Sequence, residues 1–323
     1  MQLALFEVQP DVSLNDVWQT YKLVRKLKQR TVLDYEKRLK YVPELMAAPV
    51  RSVTKAQVLT MYMGLSEANG EATASYVFRI LRALVEFTRE VLETTDGAPV
   101  VVTNPVKALS ATRSWAKTKH REDYLKPSQM KPWLAAVLRY PNTSVSDWLL
   151  FCLLTGCRRN EATRLTWNCV DFANGLVTFM STKNGKNHTI PASREALEML
   201  YRRRLGATTN PYVFTGMSGG KLSDWCKAYL DIGASAGVEF TVHGLRRTWA
   251  TVADSIDIPK TAIAHLLNHS SRSITDAYIQ PSPERLRKHT QAVTNEVIRL
   301  AEAENALLTR KEGECYSLIT CQS

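Results

Sequence analysis

The 323-residue sequence predicts a mainly helical α+β protein of two domains, with a small antiparallel sheet set into the second. Three observations carry this. Apolar residues recur at helical spacing from Ser13 to about Glu93, and again beyond Pro127. Between these stretches, Thr94–Pro105 reads TTDGAPVVVTNP, a break marked by Gly, two Pro and an Asn-Pro turn signal. Two Asn-Gly pairs bracket the β-rich run Leu-Val-Thr-Phe-Met, and Asn-Gly between apolar runs is the strongest short hairpin signal.

Taken in order, Ser13 is placed to cap a first helix bearing Leu14, Val17, Trp18, Tyr21 and Val24. Thr31 opens a second run with Val32, Tyr35 and Leu39, which breaks near Pro43 and Pro49. Thr54 caps a third helix, and Ala72–Leu92 form a fourth through Val77, Ile80, Leu81, Leu84, Val85 and Leu92. This is a four-helix bundle, expected over residues 1–105. A polar, basic linker follows over 106–123, with Arg113, Lys117, Lys119, His120 and Arg121. The second domain is expected over 124–308, with helices from Pro127 to Tyr140 and Ser146 to Thr155. A three-stranded sheet over about 168–191 comes next, and then helices again. The last of these spans Glu284–Leu308, with an apolar stripe of Leu286, Val293, Val297, Leu300 and Leu307 and no evident partner of its own. Residues 309–323 show no periodicity and read as a disordered tail.

A composition of 45% hydrophobic and 23% charged residues suits a globular protein with real cores. No apolar run reaches the length of a bilayer span, and Met1–Pro10 lacks a secretory pattern, so a cytoplasmic address is expected. The six cysteines form no C-x-x-C pair, which speaks for free thiols over a disulfide framework or a zinc site. Net charge is +11. Residues 1–112 hold 14 Lys and Arg against 12 Asp and Glu, whereas 113–323 hold 28 against 19, so the excess lies in the second part. A basic balance favours a polyanionic partner, nucleic acid being the commonest. Lys22, Arg25, Lys26, Lys28 and Arg30 crowd one stretch, which a solvated helix face explains as well as DNA contact does.

Two segments resemble cofactor sites and fail the test. Thr215–Lys221 (TGMSGGK) lacks phosphate-loop spacing, and Leu222 stands where a magnesium-binding hydroxyl belongs. His265 and His269 are four apart, but the Glu of H-E-x-x-H is replaced by Leu266. No metal or other cofactor is expected.

Four local features occur in one order: Thr155-Gly156-Cys157-Arg158-Arg159-Asn160-Glu161 with Leu165, then Lys183 beside an Asn-Gly turn, then His243-Gly244-Leu245-Arg246-Arg247-Thr248, then Leu266-Leu267-Asn268-His269 with Tyr278 nine residues on. Two guanidiniums can each donate paired hydrogen bonds to the oxygens of one phosphate and stabilise charge developing there. A tyrosine can attack phosphorus and hold it covalently, which separates strand cleavage from rejoining without a nucleotide cofactor. Two histidines can serve as proton acceptor and as hydrogen-bond donor to the phosphate. A lysine at a hairpin tip can protonate the departing 5′ oxygen.

In these boxes the sequence resembles the tyrosine recombinase (phage integrase) family, in outline over the whole chain and specifically from about Tyr124 to Tyr278. The family box T-G-x-R-x-x-E-x-x-x-L is reproduced by Thr155–Leu165, so Arg158 inherits the first arginine role and Glu161 the supporting acidic one. The H-x-x-R box is matched by His243 and Arg246, and the L-x-H box by Leu267-Asn268-His269, with Tyr278 as nucleophile. The usual glycine before the last histidine is Asn268 here. Lys183 matches the hairpin lysine, with Lys186 as a nearby rival. The resemblance implies the tyrosine recombinase fold, with a helical core-binding domain and a mostly helical catalytic domain. It also implies a homotetramer on synapsed double-stranded DNA sites in the nucleoid, aided by a directionality factor or a host DNA-bending protein. In the family a C-terminal helix reaches the neighbouring subunit, which is the role expected of 284–308, with packing on its own domain as the rival reading.

Each residue has a plainer reading. Arg158 could be a helix-capping or salt-bridge arginine and Glu161 its helix partner. Arg159 and Arg247 read as structural residues or general DNA contacts, and His265 as structural. Trp115, Trp148, Trp167, Trp225 and Trp249 read as core. Two other functions fit less well: a type IB topoisomerase, which shares the chemistry, and a non-catalytic DNA-binding protein of the same fold.

Overall fold

The computed structural model describes residues 7–9, 11–117, 123–180, 182, 185–207, 209–223, 225–269 and 281–302. The chain divides into two compact units, 1–120 and 121–323.

The first unit runs β1 (Glu7–Val8), α1 (Leu14–Val24), α2 (Gln29–Leu39), α3 (Pro43–Ala47), α4 (Lys55–Asn69), α5 (Glu71–Val91), β2 (Glu93–Thr94) and α6 (Ala108–Ala111). The two short strands pair in parallel. Ser13 and Thr54 each accept from the third helical N–H and receive a side chain back, so both helix starts are reciprocally capped. The second helix starts at Gln29 with Lys28 as its cap, ahead of the expected Thr31. The centre is α5, whose Val77, Phe78, Leu81, Leu84 and Val85 are buried against α1, α2 and α4.

Of the expected linker at 106–123, residues 106–116 fold with the first unit. Val106 and Leu109 are buried in the core of the first unit, and Trp115 packs against it. The cause is Asn104, whose Oδ1 accepts from the Val106 N–H while its Nδ2 donates to the Arg82 carbonyl and to Glu86. That side chain turns the backbone into a helical turn instead of releasing it into solvent. Further on, Tyr62 donates to the Ser114 carbonyl and the Ala116 N–H to Ser75, so the first fold holds this stretch as well.

In the second unit the elements are α7 (Pro127–Arg139), α8 (Thr143–Thr155), α9 (Arg159–Thr163), β3 (Val170–Asp171), β4 (Leu176–Phe179), β5 (His188–Pro191), α10 (Arg194–Leu205), α11 (Trp225–Ala236), α12 (Val242–Ser255), α13 (Lys260–Leu266) and α14 (Pro283–Leu300). The sheet is antiparallel in the order β3-β4-β5, as the Asn-Gly signals predict. Gly175 in the first turn has φ +61°, the conformation such turns ask of glycine.

Helix α8 is buried on every side from Val145 to Thr155, the mark of a helix at the centre of a core. It contacts α7, α9, α10, α12 and α14, with Trp133, Trp148 and Trp249 fully buried in the same core. Its C-terminus therefore provides a fixed point from which the next residues are aimed.

The stripe of α14 does find partners at home. Leu286, Val293 and Val297 are buried in the core of their own unit, against α12, α7, α8, α13 and β5. Gln291 adds a bond to the buried Glu195, and Arg287 donates to the Asn174 and Gly175 carbonyls. These residues are therefore covered within their own unit. Leu307 and the expected tail at 309–323 lie outside the described residues, and among those described no helix is long and apolar enough to cross a membrane.

Candidate active site

The site is built where three chain segments end. The first is the C-terminus of α8. Gly156, at φ +62°, turns the chain out of the helix, and its N–H bonds back to the Cys152 carbonyl. A Cβ here would stand 2.7 Å from Leu267 Cδ2 and 3.0 Å from the Trp249 ring, so any side chain would have to displace both besides taking the left-handed backbone that favours glycine. Two residues later Arg158 caps α9. Its backbone N–H and its guanidinium both donate to Glu161, each at 2.8 Å. The structural and the orienting readings of this pair thus describe one arrangement: the carboxylate that caps the helix also holds the arginine head.

The second segment is the start of α12, capped by Thr241. His243 lies exposed in its first turn, and Arg246 is almost fully buried one turn on. Gly244 is required by contact rather than by φ, since a Cβ would meet the Asp123 carbonyl at 2.0 Å.

The third is the end of α13. The His269 N–H bonds to the Ala264 carbonyl and the Asn268 N–H to that of His265, with Asn268 at φ +50°. This is a Schellman cap, and it gives a physical reason for the glycine that the family has there. Asparagine is among the few other residues that enter the left-handed region readily. The cap leaves the last carbonyls without helical donors, and the site uses them. Arg246 donates to the Leu267 and Gly156 carbonyls, the latter at 2.8 Å, and Arg158 donates to the Asn268 carbonyl at 3.0 Å. Two guanidiniums are thereby fixed to the backbone of the segment that ends at His269.

Electrostatics follow from this crowding. Burial, and then repulsion from Arg158, lowers the Arg246 pKa to about 10, so it stays charged at neutral pH but carries an uncompensated cost that an anion would relieve. Both His243 and His269 are held below the ordinary imidazole value, first by desolvation and then by Arg246 and Arg158. Both residues are exposed, so the arginine charges act through some solvent screening. Neutral imidazoles at neutral pH can accept a proton.

The structure thus brings together Arg158, Glu161, Arg246, His243 and His269. Lys183 and Tyr278 lie outside the described residues. Lys186 is exposed, and its carbonyl accepts from the N–H and the hydroxyl of Thr182. Among the described residues no group of three or more His, Cys, Asp or Glu could hold a metal ion. Two contributors escaped the sequence reading. His188, on β5, donates through Nε2 to the Leu266 carbonyl at 3.1 Å, and Asp123 pairs with both Arg247 and Thr241. Neither sits in a motif, although a histidine a few residues beyond the hairpin lysine was a visible signal.

The candidate DNA-contact residues divide. Lys22 is engaged by Glu36 and the Trp18 ring, Arg159 lies 4.8 Å from the Trp225 ring centroid, and Arg247 pairs with Asp123. Arg25, Lys26, Lys28 and Arg30 are exposed around the α1–α2 turn.

The profile of the phage integrase family matches residues 123–285. Prophage integrase IntF of Escherichia coli K12 is 24% identical over 269 residues, 80% of this chain and 56% of that protein. The chain spans about half the length of the curated relatives it matches. Among solved structures, the Tn1549 transposon integrase in complex with circular intermediate DNA aligns with a TM-score of 0.67 at 16% identity, over 84% of this chain and 96% of that one. A lambda integrase tetramer bound to a Holliday junction aligns at 0.65 and 20% identity, over 84% and 80%. Likeness at that identity establishes the fold, and it is the fold the sequence predicts.

Proposed function

The chain belongs to the phage integrase family, and from that premise we propose that it is a tyrosine-type site-specific DNA recombinase, cleaving and rejoining double-stranded DNA through a 3′-phosphotyrosyl intermediate in integration or excision. The observation that carries this is the pair Arg158 and Arg246, tied by backbone carbonyls to the segment ending at His269. Two fixed cations with a shared repulsion are preorganised for one phosphate, and binding it would remove that repulsion.

In the reaction, Arg158 and Arg246 hold the non-bridging oxygens of the scissile phosphate. The Tyr278 hydroxyl attacks phosphorus, passing its proton to a neutral imidazole, His243 or His269, while the other donates to the phosphate. The bond from phosphorus to the 5′ oxygen breaks as Lys183 protonates that oxygen. Attack by a 5′ hydroxyl of the exchanged strand reverses the steps. An unassisted phenol, with a reference pKa of about 10, is a poor nucleophile at neutral pH, so the surrounding positive charge has a catalytic task. By likeness to the lambda integrase tetramer on a Holliday junction, four copies would act on synapsed sites in the nucleoid, with a directionality factor or DNA-bending protein as accessory. Exposed Lys26, Lys28 and Arg30 are the candidate basic residues best placed to meet the DNA backbone, ahead of Arg25 over the Tyr21 ring and the engaged Lys22, Arg159 and Arg247.

The test is a suicide duplex, nicked so that the 5′-hydroxyl fragment escapes, incubated with the wild type or Tyr278→Phe and run on a denaturing gel. Wild type should yield a protein–DNA adduct whose linked peptide contains Tyr278, and the variant none, with DNA affinity retained. An adduct formed by the variant, or mapped to Tyr229 or Tyr316, would refute the assignment.

A further inference from the structure

Three consecutive carbonyls at the end of α13 receive three donors: His188 on Leu266, Arg246 on Leu267 and Arg158 on Asn268. The two arginines face the phosphate in the reading above. His188 has no such role. It comes from β5, its ring is partly buried, and it stacks on Phe179 of β4 with 26° between the ring planes. A second tie runs alongside, from Asn268 Nδ2 to Thr182 Oγ1 at 3.1 Å. Thr182 in turn bonds by its N–H and its hydroxyl to the Lys186 carbonyl, four residues on in the sequence.

We propose that His188 is a positioning residue for strand cleavage: its bond to the Leu266 carbonyl registers the β4–β5 hairpin, and with it the hairpin lysine, against the shelf of carbonyls that fixes Arg158 and Arg246. The physical argument is one of lever and anchor. The hairpin is tied to α13 at the end of its paired register, by His188 and then by Thr182. A short hairpin end left without tertiary bonds samples many positions, and proton transfer to a leaving oxygen needs heavy atoms within about 3 Å. The α13 terminus is the right anchor because the next two carbonyls, of Leu267 and Asn268, already hold Arg246 and Arg158. Misplacing a reacting group by about 1 Å costs on the order of 10²-fold in rate. The stack on Phe179 orients the ring so that Nε2 points at the carbonyl; a neutral ring carrying its proton there satisfies the bond. The proposal rests on the general-acid reading of the hairpin lysine, and the test separates the two.

Single-turnover cleavage is measured on a suicide duplex with an ordinary phosphodiester and on one with a bridging 5′-phosphorothioate, whose sulfur leaves without protonation. His188→Phe keeps the ring on Phe179 and removes the donor; His188→Gln restores an N–H at similar reach. Phe should slow phosphodiester cleavage by roughly 10²-fold, Gln should recover most of that loss, and sulfur should rescue Phe as it rescues Lys183→Ala. The double variant Lys183→Ala/His188→Phe should be no slower than Lys183→Ala alone, since residues acting through one another are not additive. Affinity for a single site and the thermal midpoint should stay near wild type. A Phe variant that cleaves normally, or is equally slow on both substrates, or multiplies with Lys183→Ala, overturns the proposal. If sulfur rescues neither Lys183→Ala nor Lys186→Ala, the general-acid reading fails instead. Should His188→Phe lose its fold, His188→Leu in the same cycle decides the matter.

Discussion

Gly156→Ala is the substitution whose cost can be built most directly from the structure. The residue sits at φ +62°, where an L side chain costs about 1–2 kcal/mol. Its Cβ would also come within 2.7 Å of Leu267 Cδ2 and 3.0 Å of the Trp249 ring. Overpacking a core in this way adds roughly 1–3 kcal/mol. The sum, about 2–5 kcal/mol, corresponds to a fall in the unfolding temperature of roughly 4–20 °C for a domain of this size. Gly219 supplies the control: it has φ +79°, but nothing lies within 4 Å of its would-be Cβ, so Gly219→Ala should show the conformational cost alone. The two variants are compared by thermal unfolding and by single-turnover cleavage. Because the Gly156 and Leu267 carbonyls both hold Arg246, the displaced residues carry the guanidinium with them, and cleavage by the folded protein should fall by on the order of 10²-fold. Equal unfolding temperatures for the two variants would refute the packing argument. A destabilised Gly156→Ala that still cleaves at the wild-type rate would refute the coupling between this turn and the arginine.

Glu161→Gln weakens the charge-assisted bond that holds Arg158, worth about 1.5–3 kcal/mol, so cleavage rates should fall roughly 10- to 10²-fold with site binding retained; an unchanged rate would mean that Glu161 only caps α9. The pKa values of His188, His243 and His269 are all lowered in the folded protein. Below the ordinary value of about 6.5 the unfolded chain therefore binds more protons than the native one, and stability present above that pH is lost as pH falls through the window. Unfolding midpoints between about pH 5 and 8 should decline on the acid side, and cleavage should follow; a midpoint that rises on acidification would contradict this. Cleavage should persist in excess chelator, since Arg158 and Arg246 supply the charge stabilisation that a metal ion supplies elsewhere; loss on chelation with recovery on adding Mg²⁺ would overturn the mechanism.

The helices and the hairpins were legible because their signals are local. Ser13 and Thr54 cap with their own third residues, and an Asn-Gly turn needs nothing beyond its flanking strands. The stretch after Asn104 was misread because its polar, basic residues look like linker while two apolar ones, Val106 and Leu109, decide its fate. The stripe on α14 is legible as a stripe, but only the structure shows that its own unit covers it. Periodicity reports that a face is buried, not what covers it.

The sequence by itself determined which residue types would meet at the site. The boxes around Arg158, Arg246 and His269 point to a phosphate-binding chemistry by their residue types and by their resemblance to a family, whose profile spans them at 123–285. What only the tertiary structure decided is how those residues are held. The Schellman cap at Asn268 spends the N–H groups of Asn268 and His269 on α13 itself, so the last carbonyls turn outward to take His188, Arg246 and Arg158 from three distant parts of the chain. No motif encodes those bonds. They exist because a helix end must satisfy its carbonyls, and here the nearest donors come from β5 and from the two arginine boxes.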